Sequence, residues 1–365
     1  MRAKLTLLIT SLLLSVTAFA AKPAGKLTIS LDFESAKLIT TLLSRKTVTA
    51  AQIDKVADVY GSRQLIAKVK GYSGAGAEIF KSTLREIIET GAIKGDDPYN
   101  WKAVKANLPA ITALIKKLSA SPDAFMNEVK EKIEAYTSDK ITANVRACFL
   151  VGGGSLGFTQ GEETTFNVAL QKIGDDYEGL KLLVAHELYH SIQAAGFASR
   201  KADSKGLPYN VKATFALLYN LWTEGTANLV GDFVGMKNPA PFSKTQLDEY
   251  QKNADRMREN FAMFEALAYK CYNDTAAKRY DVYYNIAFST AFDETGYYTG
   301  YEMAKKIEKY EGKQALANML TQDLLVFAET YVKLYKAHPE DKTFIRFDAS
   351  TENVLQNLVP WREKM

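Results

Sequence analysis

Apolar residues recur at helical intervals along most of this chain, and the period changes in only one region. Phe33, Ala36, Leu38, Ile39, Leu42 and Leu43 predict a helix over residues 33–43. After a Thr-rich turn at 47–49, Ile53, Val56 and Val59 predict a second helix that ends near Gly61. Further helices are predicted through Phe80, Leu84, Ile87 and Ile88, from Trp101 to Leu118, and from Phe125 to Tyr136. Pro98, Pro109 and Pro122 punctuate them, and Pro122, following Ser121, suits a first helical turn. Val145 to Val151 is instead a continuous apolar run, the pattern of a buried strand. Thr164 to Leu170 alternates Phe166, Val168 and Leu170 with Thr165, Asn167 and Ala169, which predicts a second strand. From Gly179 the helical pattern resumes through Leu180, Leu182, Leu183, Val184, Leu188 and Ile192, and it fails at Gly196. A polar loop at 199–210 precedes another helix from about Val211 to Val234, and the stretch from Ser243 to Leu358 is helix-rich with many tyrosines. No fixed-period repeat is visible, which argues against a solenoid. The pattern predicts an α+β fold, predominantly α, with a small mixed sheet, and a soft division near residue 140 into a helical region at 21–140 and a second region at 141–365.

The glycine run Gly152-Gly153-Gly154-Ser155-Leu156-Gly157 between the two strands superficially resembles a phosphate loop. It lacks the Gly-Lys-Ser/Thr ending and does not lead into a helix, so a turn or a substrate-edge loop is expected instead. The N-terminus reads as a signal peptide over residues 1–20: Arg2 and Lys4 precede an apolar run from Leu5 to Val16 and a small-x-small site at Ala18-Phe19-Ala20. Export to a periplasmic or secreted location, with no stable membrane insertion of the mature chain, is the corresponding expectation. The formal net charge is +4, two of it from Arg2 and Lys4, so the remainder is near neutral and does not suggest a nucleic-acid or anionic-membrane partner. Two cysteines, Cys148 and Cys271, could pair in an oxidising compartment or remain buried thiols.

The chemistry concentrates in His186-Glu187-Leu188-Tyr189-His190, which holds two of the three histidines in 365 residues. Residues i and i+4 of a helix lie one turn apart on one face, so both imidazoles can reach one metal ion. A glutamate beside the first histidine can take a proton from water at that ion, as in zinc hydrolases. The same histidines could serve only as polar contacts on a surface helix. A catalytic zinc site needs a third protein ligand. His338 stands beside Pro339 in a polar loop and reads as a surface residue. Glu224 is the better candidate, because its helix is otherwise apolar on one face (Phe215, Leu218, Leu221, Trp222, Leu229 and Val230), and a carboxylate buried there needs a charge partner. The alternative places Glu224 on the solvated face. Asn228, one turn later, could accept a hydrogen bond from a ligand histidine.

Taken together, the signal peptide, the helical front half, Val-Ala-His-Glu-Leu-Tyr-His-Ser-Ile-Gln and Trp-Thr-Glu-Gly-Thr-Ala resemble a family of exported zinc-dependent peptidases of the gluzincin type. The resemblance implies a zincin-like catalytic domain binding Zn²⁺ through His186, His190 and Glu224, with Glu187 as general base. It also implies a tyrosine or histidine from a downstream helix as the donor to the developing oxyanion. Tyr297, Tyr298 and Tyr301 cluster at the start of such a helix, and Tyr298 is the selected candidate. The 33 residues between His190 and Glu224 exceed the spacing in thermolysin-like and aminopeptidase-like groups, with the surplus in the loop at 199–210. Hydrolysis of a peptide or protein substrate is the expected function, the substrate lying along a sheet edge near Gly154–Gly157 or Thr164–Leu170. A catalytically silent zinc-containing scaffold or binding protein, and a zinc hydrolase of a non-peptide amide or ester, are the rival readings.

Overall fold

A computed structural model describes residues 27–159, 164–200 and 202–365. The signal-peptide reading of residues 1–20 lies outside the described residues. The fold is α+β and predominantly α, with a small mixed sheet. Strand β1 (Leu27–Asp32) runs parallel to β2 (Ala143–Leu150), which pairs in parallel with β4 (Thr165–Ala169); β3 (Gly157–Phe158) closes the far edge, antiparallel to β4. Parallel pairing of β1 and β2 requires a crossover. Helices α1 (Glu34–Leu43), α2 (Ala50–Asp58), α3 (Tyr60–Ser73), α4 (Ala77–Thr90), α5 (Trp101–Ala106), α6 (Leu108–Ala120) and α7 (Pro122–Glu134) supply it. A strand from the region before residue 140 therefore completes the sheet that begins after it, and the buried apolar side chains form one contiguous core from Leu27 to Leu358.

Most predicted elements form, and two differences have local causes. The helix expected from Trp101 to Leu118 is broken at Asn107, because Pro109 occupies a first helical turn, where its missing N–H is harmless. β4 is buried at every residue although its sequence alternates, since it lies between two strands with α8 (Tyr177–Ala198) packed across it. Cys148 and Cys271 are separate buried thiols. The glycine run is a tied turn. Gly152 and Gly153 have φ of 111° and 75°, Gly152 N–H donates to Gln171 Oε1 at 2.9 Å, and the Gln171 amide returns to the Gly152 and Gly153 carbonyls at 3.0 and 3.2 Å.

The second half places the site. Asp176 caps α8 by accepting from Gly179 N–H at 2.8 Å, and its other oxygen accepts from the Ser243 N–H and hydroxyl at 2.8 and 2.6 Å. Val184, Leu188, Tyr189 and Ile192 are buried, and Tyr189 donates to the Tyr136 carbonyl at 3.0 Å, so the apolar face of α8 sets its rotation. After α9 (Tyr209–Val230) come α10 (Pro241–Asp255), α11 (Met257–Asn273), α12 (Tyr280–Phe288), α13 (Thr295–Glu311), α14 (Lys313–Met319), α15 (Leu325–Ala337) and α16 (Ala349–Leu358). Among the described residues no helix is long and apolar enough to cross a membrane.

Helices α9 and α13 touch backbone to backbone. A Cβ added to Gly225 would lie 2.2 Å from the Gly300 carbonyl carbon, and one added to Gly300 would lie 2.1 Å from the Leu221 oxygen. No side chain can rotate away to relieve either contact. Gly225→Ala should therefore destabilise the fold by about 3 kcal/mol, the upper end of ordinary overpacking. Gly71, exposed in α3 with open space where a Cβ would go, provides the opposite case. Gly71→Ala should stabilise by about 0.5–1 kcal/mol, and urea denaturation of both variants measures the contrast.

Candidate metal centre

Three side chains from α8 and α9 converge on one point. His190 Nε2 lies 3.2 Å from His186 Nε2 and 3.3 Å from Glu224 Oε2, and His186 Nε2 lies 3.7 Å from the same carboxylate oxygen. The i, i+4 spacing stacks the two imidazoles on one face of α8, with ring centroids 4.9 Å apart and planes at 84°. Glu224 arrives from the neighbouring helix, and Gly231 just past its end fits against Leu182 O and His186 Cβ, at 2.7 and 2.8 Å from a notional Cβ. Glu224 is on the buried side of α9 and not the solvated one.

The donor atoms fit a single cation. Zn–N and Zn–O bonds of about 2.0–2.2 Å in a tetrahedral arrangement separate ligand atoms by roughly 3–4 Å, the spacing seen here. Glu224 Oε2 is buried and faces the two imidazole nitrogens, so a positive charge between the three groups would satisfy it. Two imidazole nitrogens and one carboxylate oxygen are also the donor set of an open catalytic zinc site, not of a closed structural one. His338 stacks on Tyr310 at 4.2 Å and faces Glu340 at 3.2 Å, away from this group, as a surface histidine should.

Electrostatics couple the group tightly. Burial pulls His190 down, but the Glu224 carboxylate, with further help from Glu187 and Gln193, outweighs it and pushes the ring up to about 9. Burial pushes Glu224 up in turn, and the facing His190 and His186 rings hold it well below the usual carboxylate range. The carboxylate thus favours a positive charge at the point where a cation would sit.

A residue without an assigned role in the sequence orients His190. Gln193 is fully buried, accepts from His190 Nδ1 at 2.8 Å, and donates to the Thr223 carbonyl and Thr226 hydroxyl at 2.8 and 2.7 Å. That bond leaves Nε2 free to bind a metal and ties α8 to α9 behind the ligands. It is the role considered for Asn228, which instead lines the cavity beside His186. The sequence signal was a glutamine three residues after a histidine, on the same helix face.

Two cavities meet at this point, sharing His186, Glu187 and Tyr297. One, about 580 Å³, runs past His190 and Glu224 along edge strand β3 and is walled by Phe158, Phe166 and Phe197. The other, about 220 Å³, extends toward α10 and the start of α13. Of the candidate tyrosines, Tyr297 and not Tyr298 borders both cavities; Tyr298 lines only the smaller one. The cause is helical phase. Gly300 presses on α9, so Tyr297, three residues earlier, shares that face, while Tyr298 is rotated away from it. Burial, then Glu224, Glu294 and Glu187, push the Tyr297 phenol up, so it remains a protonated donor. For Tyr298 the charges that add to burial are Glu294 and Glu249.

Comparison with curated proteins and with solved structures returned no match. A family profile matches residues 53–340, more than half of the chain, and its span contains His186, Glu187, His190, Glu224 and the tyrosines at 297–301. The chain belongs to the family described as Putative zinc dependent peptidase (DUF5700).

Proposed function

We propose that this protein is an exported gluzincin-type zinc metallopeptidase that cleaves peptide bonds, with His186, His190 and Glu224 as ligands. The observation that carries the reading is the convergence of those three donor atoms, one of them a buried carboxylate oxygen, within 4.8 Å of one another. When bound, zinc supplies a Lewis acid that acidifies water and polarises a carbonyl. Glu187 borders both cavities beside His186 and is the base that takes the proton from the attacking water and returns it to the leaving amine. Tyr297 O–H is the donor to the oxygen of the tetrahedral intermediate. Gln193 keeps the His190 tautomer and ring angle fixed throughout. β3 forms one edge of the sheet beside the apolar cavity, where an extended substrate would lie. The retained base argues against a metal kept only for stability.

Glu187→Gln should lower kcat/KM on a peptide substrate by about 10²–10⁴-fold while leaving one zinc per chain, because a base is removed and a ligand is not. Tyr297→Phe should lower kcat by about 10²-fold, with Tyr298→Phe having a much smaller effect, and His190→Ala should lose the metal. Steady-state kinetics together with elemental analysis check all four; near-normal turnover of the Glu187 variant would remove the mechanism.

Metal binding should also release a proton. His190 is raised to about 9 in the metal-free protein and must be neutral to ligate, so at pH 7 zinc uptake displaces its proton. Apparent zinc affinity should rise with pH up to about 9 and then level off. Calorimetry in buffers of different ionisation enthalpy counts the proton, and a pH-independent affinity between 6 and 9 would contradict the assignment.

A further inference from the structure

The smaller cavity has a chemistry of its own. Glu294 and Asp232 face it from opposite sequence neighbourhoods, Asn228 and Gln246 add neutral polar groups, and no lysine or arginine lines it. Lys305 and Lys132 act on Asp232 from outside the cavity wall. Lys252 and Arg256 both bind Asp293, at 2.5 and 2.7 Å, and Lys305 stacks on the Tyr301 and Tyr250 rings at 5.2 and 5.8 Å without lining the cavity. Among the described residues Glu294 forms no ion pair. Its backbone is held at φ 55°, directly after Asp293 at φ 59°, a conformation that a glutamate seldom adopts. Two successive left-handed residues without glycine store strain, and the double bridge from Lys252 and Arg256 to Asp293 keeps the turn that presents Glu294. Tyr301 is 2% exposed and lines the cavity, with its hydroxyl beside Asp232, so that acid has a neutral partner while Glu294 has none of opposite charge.

We propose that this cavity is the specificity subsite of the enzyme and takes the cationic side chain of a substrate lysine or arginine, with Glu294 as its charge partner. The proposal rests on the peptidase reading, and it names the substrate class for that site. At about 220 Å³ the cavity falls below the usual range for a whole small-molecule ligand and suits one long side chain. The alkyl stem would lie on the faces of Tyr297 and Tyr298, where an ammonium or guanidinium is also attracted by the rings. The charged end would reach Glu294, and burial together with Glu249 and Glu224 raises that carboxyl, so an entering cation relieves a real penalty. His186 and Glu187 line the same cavity, which places the scissile bond next to the basic residue. The larger cavity, walled by phenylalanines, takes an apolar residue on the other side of that bond.

A library of N-terminally acetylated peptides tests the specificity on the zinc-loaded protein. Cleavage should cluster beside lysine or arginine, and replacing that lysine by norleucine should lower kcat/KM by about 10–100-fold, the worth of a hydrogen bond to a charged group. Glu294→Gln should collapse this lysine-to-norleucine ratio to near one, and Glu294→Asp should keep part of it, with zinc content unchanged in both. A second readout avoids turnover altogether. In the Glu187→Gln protein, NMR titration should show Nα-acetyl-lysine amide binding about tenfold or more tighter than its norleucine analogue, and Glu294→Gln should abolish the difference. Selective binding without hydrolysis of any peptide would support the subsite and sink the peptidase reading. Hydrolysis indifferent to lysine, or a ratio unmoved by Glu294→Gln, would overturn the subsite.

Discussion

The contact between α9 and α13 is the constraint on which the site depends. Gly225 and Gly300 remove the two Cβ atoms that would otherwise hold the helices apart, and each backbone then presses directly on the other. Glu224 precedes one of these glycines and Tyr297 shares the helix face of the other, so the same contact brings ligand and candidate donor together. Gly231 makes a comparable fit against α8 at His186, which leaves little freedom in the distance from Glu224 to the two imidazoles. Polar groups then complete what packing begins. Gln193 bridges His190 to Thr223 and Thr226, so the ligand helix and the carboxylate helix are pinned just behind the converging atoms.

Charge constrains the same place. A buried carboxylate facing two imidazoles is unfavourable unless something positive sits among them. The raised His190 and lowered Glu224 both express that preference, and a divalent cation in the same place would meet the same three atoms. The acidic cavity beside the centre repeats the pattern at a lower charge, with carboxylates and tyrosine faces and no cation lining the wall. The cavity on the β3 side meets Glu187 and Glu224 only at the shared centre and is otherwise walled by Phe158, Phe166 and Phe197, which gives the two sides of the cleft different preferences.

How much of this was legible depends on whether the cause was local. His186, Glu187 and His190 follow from helical period alone, and Glu224 follows from a lone carboxylate on an apolar helix face. Strand β1 went unread because Leu27–Asp32 is short, and its place in the sheet comes from pairing with residues more than a hundred positions away. Edge strand β3 is only two residues long and has no period to detect. Tyr298 was the selected candidate, and helical phase relative to Gly300, which presses on α9, is what sets Tyr297 on the shared face instead. The unusual glycine in Trp-Thr-Glu-Gly-Thr-Ala was the available clue, since a glycine inside a buried helix implies close approach by another backbone. Gln193 was visible as the i+3 neighbour of His190, but its partners Thr223 and Thr226 lie on a different helix.

X-ray absorption at the zinc edge on the metal-loaded protein tests the central claim most directly. A first shell of nitrogen and oxygen at about 2.0–2.2 Å is expected, with the scattering signature of two imidazoles, and Glu224→Ala should remove one protein oxygen while both imidazoles remain. A shell containing sulfur, a single imidazole, or a spectrum unchanged by Glu224→Ala would contradict the account.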